Sequence, residues 1–256
     1  MTESLPYGPG GRRVERAGPR VLVVTAVDAE RDAMAAALGA GPPVPVPVAA
    51  RTLHRVTSDG FRVDLLAAGV GPAAAAAGTA SALTAATLVG AGYDLVVSAG
   101  IGGGFQPEAP LGSLVVASGI VAADLGADTA DGFVPTTELG FGTVEYRPDA
   151  ALVARVAGAT GARTGAVLTV STVTGTAARA AALRARHPGA LAEAMEGFGV
   201  AEAAGAAGCP VVELRAVSNA VGPRDRAQWR VGEALAALAT ASARLTPVYA
   251  DPTARR

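Results

Sequence analysis

The sequence predicts a single α/β domain whose central β-sheet is mixed, mostly parallel, and flanked by helices on both faces. Candidate strands and helices alternate along the chain, as in proteins built from strand–helix–strand units. Several candidate strands, such as residues 20–26, are continuous apolar runs, which is the pattern of strands buried on both faces of a sheet. The 256 residues, 50% of them hydrophobic, suffice for one large core.

The α/β domain is expected to span residues 20–250. The first nineteen residues carry Gly, Pro and Arg without the apolar segment of a secretory signal, so a disordered tail is expected at 1–19. A second disordered tail is expected at 251–256. We find no internal repeat, second domain or linker in the sequence between them.

Each element is predicted from its local pattern. Apolar or alternating runs bounded by turn formers predict strands at 20–26, 52–58, 61–67, 95–98, 111–123, 165–170 and 211–219. Ala-rich or amphipathic segments between them predict helices at 28–38, 73–89, 149–157, 177–186, 200–207 and 226–245. The second and third strands should form a hairpin that turns at Asp59-Gly60. The Pro-rich segment 41–48 indicates a surface connection, and the irregular segment 124–147 a binding loop or lid.

Composition excludes several classes of function. The net charge is −1 and no block of basic residues occurs, so a nucleic-acid partner is not expected. No apolar run free of helix breakers reaches the length of a membrane span, so no membrane partner is expected. The single cysteine, Cys209, excludes a disulfide framework, and we expect it to be a buried, inert thiol. These features together predict a cytoplasmic protein.

Two glycine-rich turns follow candidate strands. Gly69-Val70-Gly71 precedes an Ala-rich helix, as in a dinucleotide-binding turn, but such a unit has an acidic residue at the end of the next strand, whereas Asp94 begins that strand. These glycines therefore indicate either a backbone that approaches a small ligand or a tight turn. The second turn, Ser98-Ala99-Gly100, runs into glycines 102–104. So much glycine indicates backbone groups that must reach a partner.

Four polar side chains stand at turns or near the ends of candidate strands. Glu196 precedes a helix, Glu30 lies in the first turn of a helix that Asp28 would cap, and Asn219 ends an apolar run. Ser98 ends the strand before the second glycine turn. Taken alone, Glu196 is explained as a charge that favours a helix N-terminus. Because loops at the carboxyl ends of parallel strands converge, we expect the four residues to meet in one crevice. The sequence has no metal-ligand spacing, Walker loop or nucleophile elbow, so neither a metal nor an organic cofactor is expected.

Over residues 20–245 the chain resembles the purine nucleoside phosphorylase/nucleosidase family. Four motifs carry the resemblance in the family's order: Ala26-Val27-Asp28-Ala29-Glu30, Gly69-Val70-Gly71, Ser98-Ala99-Gly100 and Met195-Glu196-Gly197. Val217-Ser218-Asn219 is a variant of a fifth. Each motif is weak alone, but together they are specific. The resemblance implies the fold predicted above, a small-molecule nucleoside substrate, and a homodimer or larger homo-oligomer.

The resemblance also implies residue roles. Glu30 would activate the attacking water, which must lose a proton as it attacks C1′ of an oxocarbenium-like ribosyl centre. Glu196 would bind the ribose 2′- and 3′-hydroxyls, and Met195 would pack against the sugar. Ser98 is expected beside the ribose or the leaving group, with the main chain at Ala99-Gly100 near the base.

Further candidates for substrate binding are Gly71, whose backbone could approach the ligand, Thr174 in the polar run 171–176, and Phe198 as part of an apolar slot. A carboxylate at the 5′ end of a substrate could pair with Arg224 or with Arg226. Both arginines follow the Asn219 segment closely in the sequence.

Two departures from relatives indicate the subclass. Phosphorylases similar to this chain carry an arginine just before the second glycine turn to bind phosphate, but Val96 and Val97 stand here, and Glu30 would repel an anion. Water is thus the favoured acceptor.

Nucleosidases that release adenine carry an aspartate in place of Asn219. The amide of Asn219 can donate hydrogen bonds to O6 or N7 of a 6-oxopurine, which favours hypoxanthine as the leaving base.

Alternatives stay open at this point. Arg31 or Arg62 could bind phosphate in a phosphorylase, the substrate could be an adenine nucleoside, and Asn219 could simply cap a turn. A nucleoside-binding protein without catalytic activity would need the pocket but not Glu30.

Overall fold

The computed structural model of the chain describes residues 18–39, 41–58 and 60–252. Most of the two predicted tails, at 1–17 and 253–256, and Asp59 of the predicted hairpin turn lie outside the described residues.

The described residues form twelve strands: β1 (Arg20–Thr25), β2 (Val44–Val48), β3 (Arg51–Ser58), β4 (Phe61–Ala67), β5 (Leu95–Gly104), β6 (Leu114–Ala122), β7 (Gly126–Thr129), β8 (Gly132–Pro135), β9 (Glu145–Tyr146), β10 (Arg163–Thr169), β11 (Ala190–Ala194) and β12 (Val211–Ala220). They form seven α-helices: α1 (Asp28–Ala37), α2 (Pro72–Leu88), α3 (Ala150–Thr160), α4 (Ala177–Arg186), α5 (Gly197–Ala206), α6 (Val231–Arg244) and α7 (Thr246–Ala250). A short 3₁₀ helix spans Arg226–Gln228.

The central sheet is mixed, as predicted. Its strand order is β11-β10-β6-β12-β5-β1-β4-β3-β2, with β9 beside β6. Parallel pairs join β12, β5, β1 and β4 in its middle, and antiparallel pairs include the β3–β4 hairpin. A separate two-stranded sheet consists of β7 and β8.

Both faces of the sheet are covered by helices. Val21 and Val23 of β1 pack in a core cluster that also contains residues of α1 and α6, such as Met34 and Leu238. Leu22 of β1, like its neighbour Val24, packs on the opposite face in a cluster with residues of α2 and α5. Alternate side chains of one strand therefore face two cores, which explains its continuous apolar run. Among the described residues, no helix is both long enough and apolar enough to cross a membrane.

Strand β5 is longer than the predicted strand 95–98, because its glycines belong to the strand. The end of β5 pairs with β11, in the antiparallel direction, while it also pairs with β12. Strands β11, β10, β6, β12 and β5 thus close into a ring. A Cβ atom on Gly102 would lie 2.7 Å from the carbonyl oxygen of Glu193, so glycine is needed where β5 approaches β11.

Two predicted connections contain strands, and one predicted cap is wrong. Segment 44–48 forms β2, which tolerates its prolines because it lies at the edge of the sheet, where backbone donors are dispensable. The segment 124–147 holds β7, β8 and β9. Val27, not Asp28, occupies the N-cap position of α1, since the Asp28 carboxylate instead forms an ion pair with Arg31 at 2.7 Å.

Candidate active site

A cavity of about 420 Å³ opens where β1, β5 and β12 end. Its wall includes five residues that the sequence predicts to bind substrate or catalyse: Glu30, Thr174, Met195, Glu196 and Asn219. The residues come from α1, from the segment after β10, from the β11–α5 junction and from β12. The fold therefore brings together residues that are up to 189 positions apart in the chain, between 30 and 219.

Glu30 is held at the cavity wall by backbone donors. Its side chain is buried and lies in the first turn of α1, as predicted. Oε2 accepts hydrogen bonds from the backbone N–H groups of Ala26 at 3.0 Å and Val27 at 3.2 Å. Oε1 accepts from the N–H group of Ile101 at 2.8 Å. These three donors and the helix N-terminus orient the carboxylate and stabilise its negative charge.

Glu196 joins two of the motifs noted in the sequence. It occupies the N-cap position of α5, and its side chain is buried. Oε1 accepts a hydrogen bond from the N–H group of Gly71 at 3.2 Å, across 125 residues of sequence. Oε2 accepts from the N–H group of Met195 and from Nη1 of Arg215, both at 3.3 Å. The first glycine turn thus provides a backbone donor to Glu196.

Arg215 was missed by sequence reasoning. It is fully buried in β12, where its Nε donates to Oε1 of Glu213 at 2.8 Å and its Nη2 donates to Oγ of Ser98 at 3.2 Å. Burial lowers the pKa of the guanidinium, but Glu213, Glu196 and Glu30 raise it by more, so the group keeps its charge. A charged residue inside an apolar strand was the available signal, because a buried arginine requires acidic partners.

Gly100 of the second glycine turn packs against Glu30 and Arg215. A Cβ atom on Gly100 would lie 2.7 Å from Oε1 of Glu30 and 2.7 Å from Nη1 of Arg215. Only glycine leaves room for both side chains to approach the strand here. Ser98 and Ala99 are buried and do not belong to the cavity wall; Ser98 contacts the site only through Arg215.

Asn219 lines the cavity near the end of β12, and its amide orientation is set by its neighbours. Its Oδ1 accepts a hydrogen bond from the Ser218 hydroxyl at 2.9 Å, and its Nδ2 donates to the carbonyl of Ala220 at 3.0 Å. An amide nitrogen has two N–H groups, so one is left to donate to a ligand in the cavity.

A third carboxylate, Glu193 of β11, also lines the cavity and was not predicted. The backbone N–H of Thr174 donates to its Oε1 at 2.8 Å, and the Thr174 hydroxyl donates to its Oε2 at 2.5 Å. Burial raises the pKa of Glu193, and the hydrogen bonds from Thr174 lower it, with burial the larger effect. Thr174 is therefore in the cavity, as predicted, and it orients this acid.

The structure does not bring Phe198 into this cavity. Its ring packs on Tyr146, with ring centroids 5.5 Å apart, and lines a second cavity with Pro72 and Asp124. Phe198 is the second residue of α5 and does not belong to the wall that Glu30, Glu196 and Asn219 line. The prediction that it contacts the substrate in this cavity is therefore not supported.

Neither of the two arginines considered as phosphate ligands lines the cavity. The Arg31 guanidinium pairs with Asp28 at 2.7 Å and Asp32 at 2.8 Å. Arg62 pairs in register with Arg20 at the amino ends of β4 and β1, opposite to the carboxyl ends that form the cavity. Arg224, in contrast, lines the cavity, and its guanidinium lies 5.4 Å from the centre of the Trp229 ring.

No group of three or more His, Cys, Asp or Glu residues within the described ranges could hold a metal ion.

Comparison with known proteins identifies the class. A family model described as the phosphorylase superfamily matches residues 20–249. A futalosine hydrolase of Streptomyces coelicolor is 71% identical over 228 residues, covering 89% of this chain and 95% of that protein. One from Acidothermus cellulolyticus is 46% identical over 235 residues, covering 90% and 91%. The chain therefore belongs to the phosphorylase superfamily and, within it, to the futalosine hydrolase family.

Solved structures agree on the fold. A futalosine hydrolase mutant of Helicobacter pylori superposes with a TM-score of 0.77 at 16% identity, covering 90% of this chain and 99% of that one. A 5′-methylthioadenosine/S-adenosylhomocysteine nucleosidase of Colwellia psychrerythraea, in complex with adenine, gives a TM-score of 0.74 at 23% identity, covering 89% and 96%. The predicted nucleoside phosphorylase-like fold is confirmed.

Proposed function

We propose that this protein is an N-glycosidase that hydrolyses futalosine to hypoxanthine and dehypoxanthine futalosine, a step of the futalosine route to menaquinone. The observation that carries the proposal is the shared cavity of Glu30, Glu196 and Asn219 in a chain of the futalosine hydrolase family. Each of the three residues suits one part of the nucleoside: the attacking water, the ribose and the leaving base.

Glu30 is the proposed general base. Water becomes a better nucleophile toward C1′ as it loses a proton, and a carboxylate within hydrogen-bond reach can accept that proton. The backbone donors from Ala26, Val27 and Ile101 fix the Glu30 carboxylate, so little reorganisation is needed when the water attacks.

Glu196 is the proposed ribose ligand. Each carboxylate oxygen can accept two hydrogen bonds, so after those from Gly71, Met195 and Arg215 the group can still accept one from a sugar hydroxyl. The hydrogen bond from the sugar hydroxyl to Glu196 strengthens as positive charge develops on the ribosyl ring, which lowers the barrier. Met195 lines the same cavity and would pack against the sugar.

Asn219 is the proposed donor to the leaving base. Negative charge builds on N7 and O6 of hypoxanthine as the glycosidic bond breaks. The free N–H of the Asn219 amide, oriented by Ser218 and Ala220, can stabilise that charge without transferring a proton.

Arg224 and Trp229 suit the 5′ end of futalosine. Futalosine carries a carboxyphenyl ketone there, which requires an apolar contact and a cation for its carboxylate. Both residues line the cavity, and the guanidinium lies close to the indole ring. We propose that the indole ring contacts the phenyl group and that Arg224 pairs with the carboxylate.

The charges around the cavity favour water over phosphate as acceptor. The charged groups of the described residues that line it are three carboxylates, Glu30, Glu193 and Glu196, and one guanidinium, that of Arg224. A phosphate dianion beside Glu30 and Glu196 would be repelled.

The test is to incubate the protein with futalosine, inosine and methylthioadenosine, each with and without phosphate, and to separate the products by chromatography with mass detection. We expect hypoxanthine from futalosine at a rate that phosphate does not change. Formation of a ribose 1-phosphate product, or preferential cleavage of methylthioadenosine, would contradict the proposal.

A further inference from the structure

The mechanism proposed above leaves one buried acid of the cavity unused. Glu193 lines the cavity with a side chain only 5% exposed, and both of its oxygens are held by Thr174. Burying a carboxylate costs free energy unless hydrogen bonds or an opposite charge compensate for the lost water. The Thr174 contacts position the carboxylate but leave lone pairs free, because each oxygen can accept two hydrogen bonds.

Sheet register places Glu193 across the cavity from Asn219. Gly103 of β5 pairs with Glu193 of β11 on one side and with Asn219 of β12 on the other. Adjacent strands lie about 4.8 Å apart, so the backbones of Glu193 and Asn219 are separated by about 10 Å. Gly103 lines the cavity, and a Cβ atom on it would lie 2.9 Å from Cγ2 of Val221 and 3.3 Å from Nδ2 of Asn219, so a side chain here would displace the Asn219 amide. Polar side chains that flank a glycine at this spacing can each reach one hydrogen-bonding group of the same purine base.

We propose that Glu193 is a specificity-determining residue that accepts a hydrogen bond from N1–H of a 6-oxopurine whose O6/N7 edge faces Asn219. The inference rests on the proposed function and adds to it the recognition of the opposite part of the base. In hypoxanthine N1 carries a hydrogen, whereas in adenine N1 is an acceptor. A carboxylate therefore binds the first and repels the lone pair of the second.

The wild-type protein allows a first test that needs no substitution. Hypoxanthine, 1-methylhypoxanthine and adenine are titrated into the protein in a calorimeter. Hypoxanthine should bind at least tenfold more tightly than either of the others, because only it offers N1–H to a buried acid. Equal affinities for hypoxanthine and 1-methylhypoxanthine would overturn the inference.

The second test is Glu193→Gln, with Glu138→Gln as control at an exposed carboxylate away from the cavity. The glutamine amide is neutral and can donate to N1 of adenine. The ratio of hypoxanthine to adenine affinity should fall about tenfold or more in Glu193→Gln, the size expected for a lost charged hydrogen bond. It should be unchanged in Glu138→Gln.

The outcomes separate recognition from a structural role. If Glu193 only supports the Thr174 segment, Glu193→Gln weakens both bases equally, and the unchanged ratio overturns the inference. If the predicted base preferences hold but futalosine is not cleaved, the proposed function fails and base recognition by Glu193 stands. If no purine base binds to the wild-type protein, the inference about Glu193 fails, and the cleavage assay with futalosine decides the proposed function separately.

Discussion

Nη1 of Arg215 lies 3.3 Å from Oε2 of Glu196, so the residue proposed to bind ribose is held by a cation buried in β12. The same guanidinium also pairs with Glu213. We predict that Arg215→Met lowers the free energy of unfolding by about 3–5 kcal/mol, because it leaves two carboxylates in the interior without a cation. Urea denaturation followed by circular dichroism measures the loss.

The control for Arg215 is Arg230→Met, which removes a half-exposed guanidinium paired with Glu233 at 3.7 Å and should cost no more than about 1 kcal/mol. In addition, the double variant Arg215→Met/Glu213→Gln should be less destabilised than the sum of the single variants, because removing both charges leaves less unpaired charge. If the losses in unfolding free energy of the two single variants simply add in the double variant, Arg215 and Glu213 do not stabilise each other.

Gly100 is predicted to be irreplaceable by alanine. The new methyl group would lie 2.7 Å from both Oε1 of Glu30 and Nη1 of Arg215, so one of these groups must move. We expect a destabilisation of about 1–3 kcal/mol and a large fall in kcat for Gly100→Ala.

Gly158→Ala is the matched control, since a Cβ atom in this position of α3 meets no atom within 4 Å. That variant should keep full activity and gain stability of about 0.5–1 kcal/mol. Equal behaviour of the two variants would contradict the argument.

Much of the fold could be predicted from local sequence pattern, because apolar runs and glycine turns report directly on burial. The run 20–26 predicts β1, and the alternation before and after Gly60 predicts the hairpin. The ring closure between β5 and β11 could not be predicted, since it depends on a pairing of residues about 90 positions apart. Glycines 102–104 were noticed, but a sequence pattern does not say which strand approaches them.

The site residues that belong to sequence motifs were predicted, and those outside the motifs were missed. Glu30, Ser98, Glu196 and Asn219 were predicted to meet in one crevice. The structure brings both glutamates and Asn219 to one cavity, whereas Ser98 is buried and does not line it. Arg215 lies inside the predicted strand 211–219, and Glu193 precedes the Met195-Glu196-Gly197 motif without belonging to it. In such positions a single charge can be either solvated or paired. Which of the two holds depends on the strands that flank it. The catalytic roles, the homo-oligomer and the cytoplasmic location stay predictions.

Cys209 is predicted to react slowly with thiol reagents. Burial, with a smaller contribution from Asp94, raises the pKa of its thiol to about 11, and Sγ contacts the carbonyl oxygen of Tyr93 at 3.4 Å. At pH 7.5 roughly one such thiol in a few thousand is ionised, against about one in ten for an ordinary cysteine. The rate of alkylation by iodoacetamide at pH 7.5 should therefore be at least a hundredfold below that of glutathione, and it should still be rising with pH at about pH 10.

The alkylation rate is measured by mass spectrometry of the intact protein, with the urea-unfolded chain as control, in which the ordinary rate should return. Cys209 is only partly buried, and rapid labelling of the folded protein at pH 7.5 would contradict the raised pKa of its thiol.

Glu30→Gln tests the central chemical role. Glutamine keeps the size of the side chain and can occupy the same position, but its amide cannot accept a proton from water. We predict a fall in kcat of about 10²–10⁴-fold with little change in substrate affinity, because the residue acts on water and not on the nucleoside. Single-turnover cleavage of futalosine measures the fall in kcat, and calorimetry with the inactive variant measures the substrate affinity.

Asp28→Asn is the matched control, because it changes an exposed carboxylate of the same helix that pairs with Arg31. This variant should retain normal turnover. Normal turnover of Glu30→Gln would refute the proposed base. Futalosine that binds to the wild-type protein but is never cleaved would instead make the chain a nucleoside-binding protein.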